Sequence, residues 1–256
     1  MLVAIDIGNT NITLAVFKGD EILGSYRLTT KMKRTSDEYG FMLLNFLNAS
    51  SIKVEDIEDV IISTVVPKIM HSFNNAIYKY LKKTPIQVGP GIKTGIAVKN
   101  ENPSSVGADR IVDAAGAYFI HGGPCLVVDF GTATTFDYIS DKGEFLYGIT
   151  APGLEITSQA LSNMAAQLPE IEIKKPDTIL ARNTITSMQA GVVYGYIGLT
   201  EYIIKQIKKE IGSPMQVIAT GGLGRLISKE TDEIDIYDAD LTFKGLKYIY
   251  DKQKQS

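Results

Sequence analysis

Along the chain, short apolar runs of strand-like alternation are interleaved with longer stretches whose apolar residues recur every three or four positions, as in a mixed α/β protein. The first run, Val3-Ala4-Ile5, is broken by Asp6, Gly8 and the small polar residues Asn9, Thr10 and Asn11. Alternation resumes at Ile12, Leu14 and Val16, so the pattern predicts strand, tight turn, strand, and residues 22–28 extend the same sheet. Ser36-Asp37-Glu38 is placed to cap a helix to about Asn48, with Phe41, Leu43, Leu44 and Leu47 on its apolar face. Residues 59–66 read as a buried strand that stops at Pro67, followed by a helix through Tyr80 and a strand at 86–88.

Asn102-Pro103-Ser104-Ser105 opens a predicted helix from Val106 to about Phe119, with serine as its cap. A second pair of strands spans 125–139, and Gly148 to Gly153 leads into a helix ending near Ala166. Residues 168–183 form a proline-marked connection long enough to be a functional flap. From Thr184 a long helix runs to Ile211 and is closed by Gly212. It carries Gly191, Gly195 and Gly198, and each glycine costs about 1 kcal/mol against alanine in a helix. Close approach of another backbone, from this chain or a partner, accounts for them. A buried strand at 215–220, a glycine loop at 221–224, a last helix from about Thr242 and a frayed tail at 252–256 complete the chain.

The opening device occurs twice. Cys125 to Asp129 is again an apolar run ending in Asp-x-Gly, with Gly131, Thr132 and an alternating strand to Ile139 behind it. Each copy ends in a hydrophilic hairpin turn, at 18–20 and at 140–143. Two matching hairpins predict a duplicated unit, divided here as 1–117 and 118–256, with the two Asp-x-Gly turns facing each other across a cleft.

The residues at these turns suggest chemistry. The N–H groups and side chains of Asn9 to Thr13 are suited to an anion, and Gly8 permits the sharp turn. Asp6 at the mouth of that turn would repel a bare phosphate, which calls for a divalent cation between them. Asp109 falls in the first turn of its helix, where the helix dipole alone favours an acid by about 0.3–1 kcal/mol. Asp113, however, lies four residues on along the same face, and Gly107 strips bulk beside Asp109. That arrangement also suits a general base accepting a hydroxyl proton, and spacing leaves both readings open. Arg182-Asn183-Thr184 reads as a helix cap, with Thr184 also able to reach a ligand. Gly91 to Thr94 lacks P-loop spacing, Gly221 to Gly224 lacks the third glycine of a dinucleotide fingerprint, and no nucleophile elbow is present. His71 and His121 have no metal-ligand spacing and read as surface or packing residues.

Composition narrows the classes. A hydrophobic content of 45% with 21% charged residues is that of a globular protein, and a net charge of −3 provides no basic field for nucleic acid or an anionic membrane. Cys125, the single cysteine, sits in a predicted buried strand, which excludes an intrachain disulfide and fits a reducing compartment. With no leader pattern and no membrane-length apolar run, the expected location is cytoplasmic, without nucleic-acid or membrane partners.

Asp6-x-Gly8-Asn9-Thr10, Val65-Val66-Pro67, Gly107-Ala108-Asp109-Arg110, Asp129-x-Gly131-Thr132-Ala133 and Thr220-Gly221-Gly222-Leu223 occur in the order and spacing of type III pantothenate kinases, which the whole chain resembles. The resemblance implies the acetate kinase/sugar kinase/heat-shock/actin superfold: two related ribonuclease-H-like (actin-like ATPase) α/β domains, each with a central mixed sheet, and an ATP cleft between them. It implies ATP-dependent phosphorylation of the primary hydroxyl of pantothenate, the first step of coenzyme A biosynthesis. By resemblance, Asp6, Ile7, Gly8, Asn9, Thr10, Asn11, Ile12 and Thr13 cradle the ATP phosphates, Asp6 holds Mg²⁺ through water, and Thr132 also touches ATP. Gly107, Ala108, Asp109 and Arg110 bind pantothenate, with Asp109 as base. Asp129 binds a monovalent cation, K⁺ or NH₄⁺. Thr184 contacts pantothenate in a site completed across a homodimer interface. The family commonly has a tyrosine in the pantothenate pocket where this chain has Asn100. Two other classes use the superfold: a nucleotide-dependent assembly protein, which needs no base at Asp109, and a transcriptional regulator, against which stand the net acidity and the lack of a helix-turn-helix pattern.

Overall fold

A computed structural model describes residues 1–255. In chain order the first elements are β1 (Leu2–Ile7), β2 (Asn11–Lys18), β3 (Glu21–Thr29), α1 (Ser36–Ala49), β4 (Asp59–Thr64), α2 (Pro67–Ala76), β5 (Ile86–Gln87), β6 (Ala97–Val98) and α3 (Ala108–Gly116). They are followed by β7 (Cys125–Phe130), β8 (Ala133–Ile139), β9 (Glu144–Pro152), α4 (Leu154–Met164), α5 (Thr184–Ile211), β10 (Gln216–Thr220), α6 (Gly224–Ser228), β11 (Ile236–Tyr237) and α7 (Leu241–Lys254).

The chain forms two compact units. The first comprises Met1–Ile96, Glu101–Phe119 and the segment from Leu241 onward; the second comprises Ala97–Asn100 and Ile120–Asp240. The first unit therefore differs from a continuous 1–117 stretch by taking in α7 and leaving out residues 97–100. The physical reason is the apolar face of α7, whose Leu246 and Ile249 are fully buried. Glycines let α7 and α3 meet at backbone distance: a Cβ on Gly245 would collide with the Val112 carbonyl, and one on Gly116 would lie 2.8 Å from the Leu241 oxygen.

Within each unit the sheet order exposes the duplication. The first sheet runs β3-β2-β1-β4-β5 and the second β11-β10-β7-β8-β9-β6. Read from the other edge, β9-β8-β7-β10-β11 repeats the first order, with β6 added outside β9. In both, an antiparallel hairpin is followed by a parallel neighbour, β1 with β4 and β7 with β10. Each sheet buries its own core. Val3, Ile5, Leu14, Val60 and Ile62 pack with Leu43, Leu47 and Phe73 in the first, and Leu126, Val128, Phe136 and Val217 pack with Tyr196 and Ile204 in the second.

Several local expectations are revised. The cap of α1 is Thr35, whose hydroxyl accepts the Glu38 N–H while the Glu38 carboxylate accepts the Thr35 N–H. Phe41 is 60% exposed and leans on Tyr80 rather than facing the core. Helix α3 starts at Ala108 behind Gly107 with no side-chain cap, since Pro103–Ser105 form a separate 3₁₀ turn, and it ends in a π-helical turn, Ala117–His121. His121 pairs with Asp238 at 2.9 Å. Helix α5 has the predicted bounds, capped by Asn183 and closed by Gly212 at φ +69°. Its glycines, in contrast, are not matched by a close backbone: a Cβ on Gly191, Gly195 or Gly198 would meet nothing within 4 Å among the described residues. No helix among those residues is long and apolar enough to cross a membrane.

Candidate active site

In the first unit, β1 and β2 pair as far as Ile7 and Ile12, so the turn between them is short. The Gly8 N–H closes it by donating to the Asn11 carbonyl at 2.9 Å. Ile7 and Ile12 commit their side chains to the core, and the Ile7 carbonyl accepts the Val65 N–H at 3.1 Å. Asn9 is exposed, and Asp6, Gly8, Thr10, Asn11 and Thr13 are half-buried around it. Parallel pairing of β1 with β4 sets Asp6 beside Ser63, whose hydroxyl donates to Asp6 Oδ1 at 2.6 Å. Ser63 carried no signal in the sequence, because its role depends on a register between strands 57 residues apart.

Asp109 belongs to the same unit. Its carboxylate folds back over the start of α3, where Oδ1 accepts the Arg110 N–H at 2.8 Å. A Cβ on Gly107 would collide with that oxygen and reach 3.4 Å from Val65 Cγ1. The space left by the missing side chain of Gly107 is thus occupied by Asp109 itself. Burial raises the pKa of Asp109, opposed by the Arg110 N–H and guanidinium. Asp6 is pushed up to about 7, chiefly by burial, with the Ser63 hydroxyl lowering it and the charge of Asp109 raising it further. Two carboxylates whose ionisation is disfavoured and which repel one another form a setting that draws in a cation or a proton.

In the second unit, β7 and β10 pair so that Asp129 lies beside Thr220, the counterpart of Asp6 and Ser63. The glycine loop after β10 is thereby brought to the second Asp-x-Gly turn. A Cβ on Gly221, at φ +90°, would come within 2.6 Å of Asp129 Oδ1 and of the Phe130 carbonyl, so only glycine fits. Tyr237 donates to the Gly221 carbonyl at 3.0 Å and holds this loop. Thr135, opposite Asp129 on β8, keeps a buried hydroxyl with no hydrogen-bond partner among the described residues. Thr132 is half-buried in the turn, and Gly153 packs against its carbonyl. The Tyr196 hydroxyl of α5 donates to the Pro152 carbonyl at 2.7 Å and lies 2.5 Å from Thr134 Oγ1, tying α5 to the turn. Asn100 has a buried Oδ1 without a partner among the described residues. Thr184 is exposed in the first turn of α5, whose cap is made by Asn183.

A duplicated βββ-αβ unit with an acid-glycine turn after its first strand is the fold of actin-like ATPases and sugar kinases, and solved structures share it. A protein described as a 2-dehydro-3-deoxygalactonokinase from Sinorhizobium meliloti superposes with a TM-score of 0.59 at 16% identity, covering 98% of this chain and 96% of that one. The activator of 2-hydroxyisocaproyl-CoA dehydratase from Clostridium difficile, solved with bound ADPNP, gives 0.54 at 15% identity over 100% and 97%. At such identities the likeness establishes the fold alone. Sequence comparison goes further: the profile of the type III pantothenate kinases matches residues 2–206. The type III pantothenate kinase of Agathobacter rectalis is 57% identical over 256 residues, covering 100% of this chain and 98% of the relative. The chain belongs to the type III pantothenate kinase family.

Proposed function

We propose that this protein transfers the γ-phosphoryl group of ATP to the primary hydroxyl of pantothenate, with Asp109 as the general base. Family membership carries the reaction. The observation that carries the site is the pair of half-buried carboxylates in one unit, Asp6 held by the Ser63 hydroxyl and Asp109 by the Arg110 N–H, with the charge of Asp109 raising the pKa of Asp6. Burial raises the pKa of Asp109, and a raised pKa makes a carboxylate the stronger base. It takes the proton of the attacking hydroxyl as the oxygen–phosphorus bond forms and the bond to ADP breaks. Gly107, Ala108 and Arg110 hold the acceptor beside it, and the N–H groups of Asn9 and Asn11 in the turn receive the phosphates.

Asp6 suits Mg²⁺ bound through water. Ser63 engages Oδ1, leaving Oδ2 as the donor, and no group of three or more His, Cys, Asp or Glu forms a protein cage among the described residues. That is the donor set of an ion carried mainly by phosphate and water, and the ion would offset phosphate charge during transfer. Asp129 would hold the monovalent cation, supported by the Asp129 carboxylate and the orphaned Thr135 hydroxyl of the paired strand. Thr132 would contact ATP. The orphaned Asn100 acceptor suits a hydroxyl or amide N–H of pantothenate in place of the usual tyrosine. A homodimer built on α5, bringing Thr184 to pantothenate, is supported by the open glycine face and by Tyr202 on the same helix, 66% exposed. The test is ATP consumption with pantothenate, with and without K⁺. No pantothenate-dependent ADP release would overturn the reading.

A further inference from the structure

The residue following the third strand of each repeat, β3 in the first and β9 in the second, grips the acid-glycine turn of that repeat. In the first unit it is Thr30, whose N–H donates to the Thr10 carbonyl at 2.9 Å and whose hydroxyl donates to the Gly8 carbonyl at 2.8 Å. In the second it is Gly153, whose N–H donates to the Thr132 carbonyl at 3.2 Å. A Cβ there would collide with that carbonyl and stand 2.5 Å from the carbonyl of Gly131. One backbone bond therefore recurs in both repeats, and the first adds a hydroxyl bond that the second has no room to make. Thr30 is 8% exposed and lies 22 residues from Gly8, so the grip is tertiary.

The geometry of the amide gives this grip a consequence. In a trans peptide the C=O and the following N–H point in opposite directions, and among the described residues the single cis bond is Gly123-Pro124. With the Gly8 and Thr10 carbonyls drawn to Thr30, the N–H groups of Asn9 and Asn11 point away from it. Asn9 is exposed, and its N–H has no partner among the described residues. An aimed, unspent N–H beside a second is the element of an anion-binding nest.

We propose that Thr30 is a positioning residue for the phosphates of ATP, orienting the turn amides through the two carbonyls it holds. The inference rests on the reading that residues 6–13 receive those phosphates. Thr30 touches neither substrate; losing its hydroxyl frees the Gly8 carbonyl, lets the Gly8–Asn9 peptide rotate and misaims the Asn9 N–H.

The test compares the full-length parent with Thr30→Val, Thr30→Ser, Thr30→Cys and Asp6→Asn in steady-state kinetics and thermal melting. Thr30→Val should raise KM for ATP by about tenfold, the scale of one buried hydrogen bond, with KM for pantothenate within about twofold and the ligand-free melting temperature nearly unchanged. Thr30→Ser should restore the parent KM for ATP. Should the valine variant fail to fold, Thr30→Cys, which keeps the volume with a poor donor, carries the same expectation. A parental KM for ATP in the valine or cysteine variant overturns the proposal, as does a rise shared equally by both substrates or a serine variant no better than valine. Impaired Asp6→Asn beside normal Thr30→Val would refute only the latch. Parental kinetics in Asp6→Asn would refute the underlying phosphate-turn reading.

Discussion

The Asp6 carboxylate should cost the folded protein stability, and Asp6→Asn should recover part of it while damaging activity. In the ligand-free fold Asp6 is pushed from 3.8 to about 7, mainly by burial. A rise of about 3 units at about 1.4 kcal/mol each makes the ionised form about 4 kcal/mol less favourable in the folded state than in the unfolded one. The sign follows from the folded pKa being the higher. Below about pH 4 both states are protonated and the penalty vanishes. It grows as pH rises from about 4 to about 7 and is fully present above that. The neutral amide of asparagine can still accept from the Ser63 hydroxyl, but its N–H₂ needs a partner of its own, so about 2 kcal/mol of gain at pH 8 is expected. For a chain of this size that corresponds to about 4–8 °C in melting temperature. The assay is thermal unfolding of the ligand-free parent and variant at half-unit steps from pH 4.5 to 8.5. Because the amide cost of about 2 kcal/mol does not vary with pH while the penalty on the carboxylate is only about 1 kcal/mol at pH 4.5, the variant should be slightly less stable than the parent at the acid end, match it at about pH 5.5 and exceed it towards pH 8, with pantothenate-dependent ADP release lost in the variant throughout. A stability of the variant relative to the parent that is constant or falls with rising pH would refute the reasoning.

Other outcomes follow from the same geometry. Asp109→Asn should lower kcat by about 10²- to 10⁴-fold, while ATP binding, followed by nucleotide fluorescence titration, stays within about threefold; near-parental kcat would remove Asp109 from the role of base. Asp129→Ala should abolish the dependence of turnover on K⁺, so an undiminished K⁺ response would place the cation elsewhere. Gly195→Leu is discriminating because a Cβ there meets nothing within 4 Å among the described residues. The subunit should fold with unchanged or slightly raised melting temperature, whereas sedimentation at low micromolar concentration should show a reduced dimer fraction and kinetics a raised KM for pantothenate. A fully dimeric variant would show that this face is not the interface.

Patterns set by spacing along a single segment were legible in the sequence: the duplicated hairpins with their acid-glycine turns, the bounds of α5 from Thr184 to Gly212, and Asp109 in a first helical turn behind Gly107. Each depends on covalent periodicity and on the conformational preferences of a few neighbours, which act before any tertiary contact forms. Even there a local signal was passed over: Thr35 rather than Ser36 took the α1 cap, and the Thr-x-x-Glu spacing to Glu38 that decides it stands in the sequence. What tertiary structure alone decided are the partners of the site residues. Ser63 beside Asp6, Gly221 beside Asp129 and Thr30 on the carbonyls of Gly8 and Thr10 come from strand register and from the chain's return to the turn, separated in sequence by 57, 92 and about 20 residues. The same holds for α7, whose apolar face found its complement on α3 and β1, and for the α5 glycines, whose spacing promised a close neighbour that the described chain does not supply. Burial and its effect on Asp6 and Asp109 likewise arise only when distant segments exclude water around them, a property that no single stretch of the chain carries.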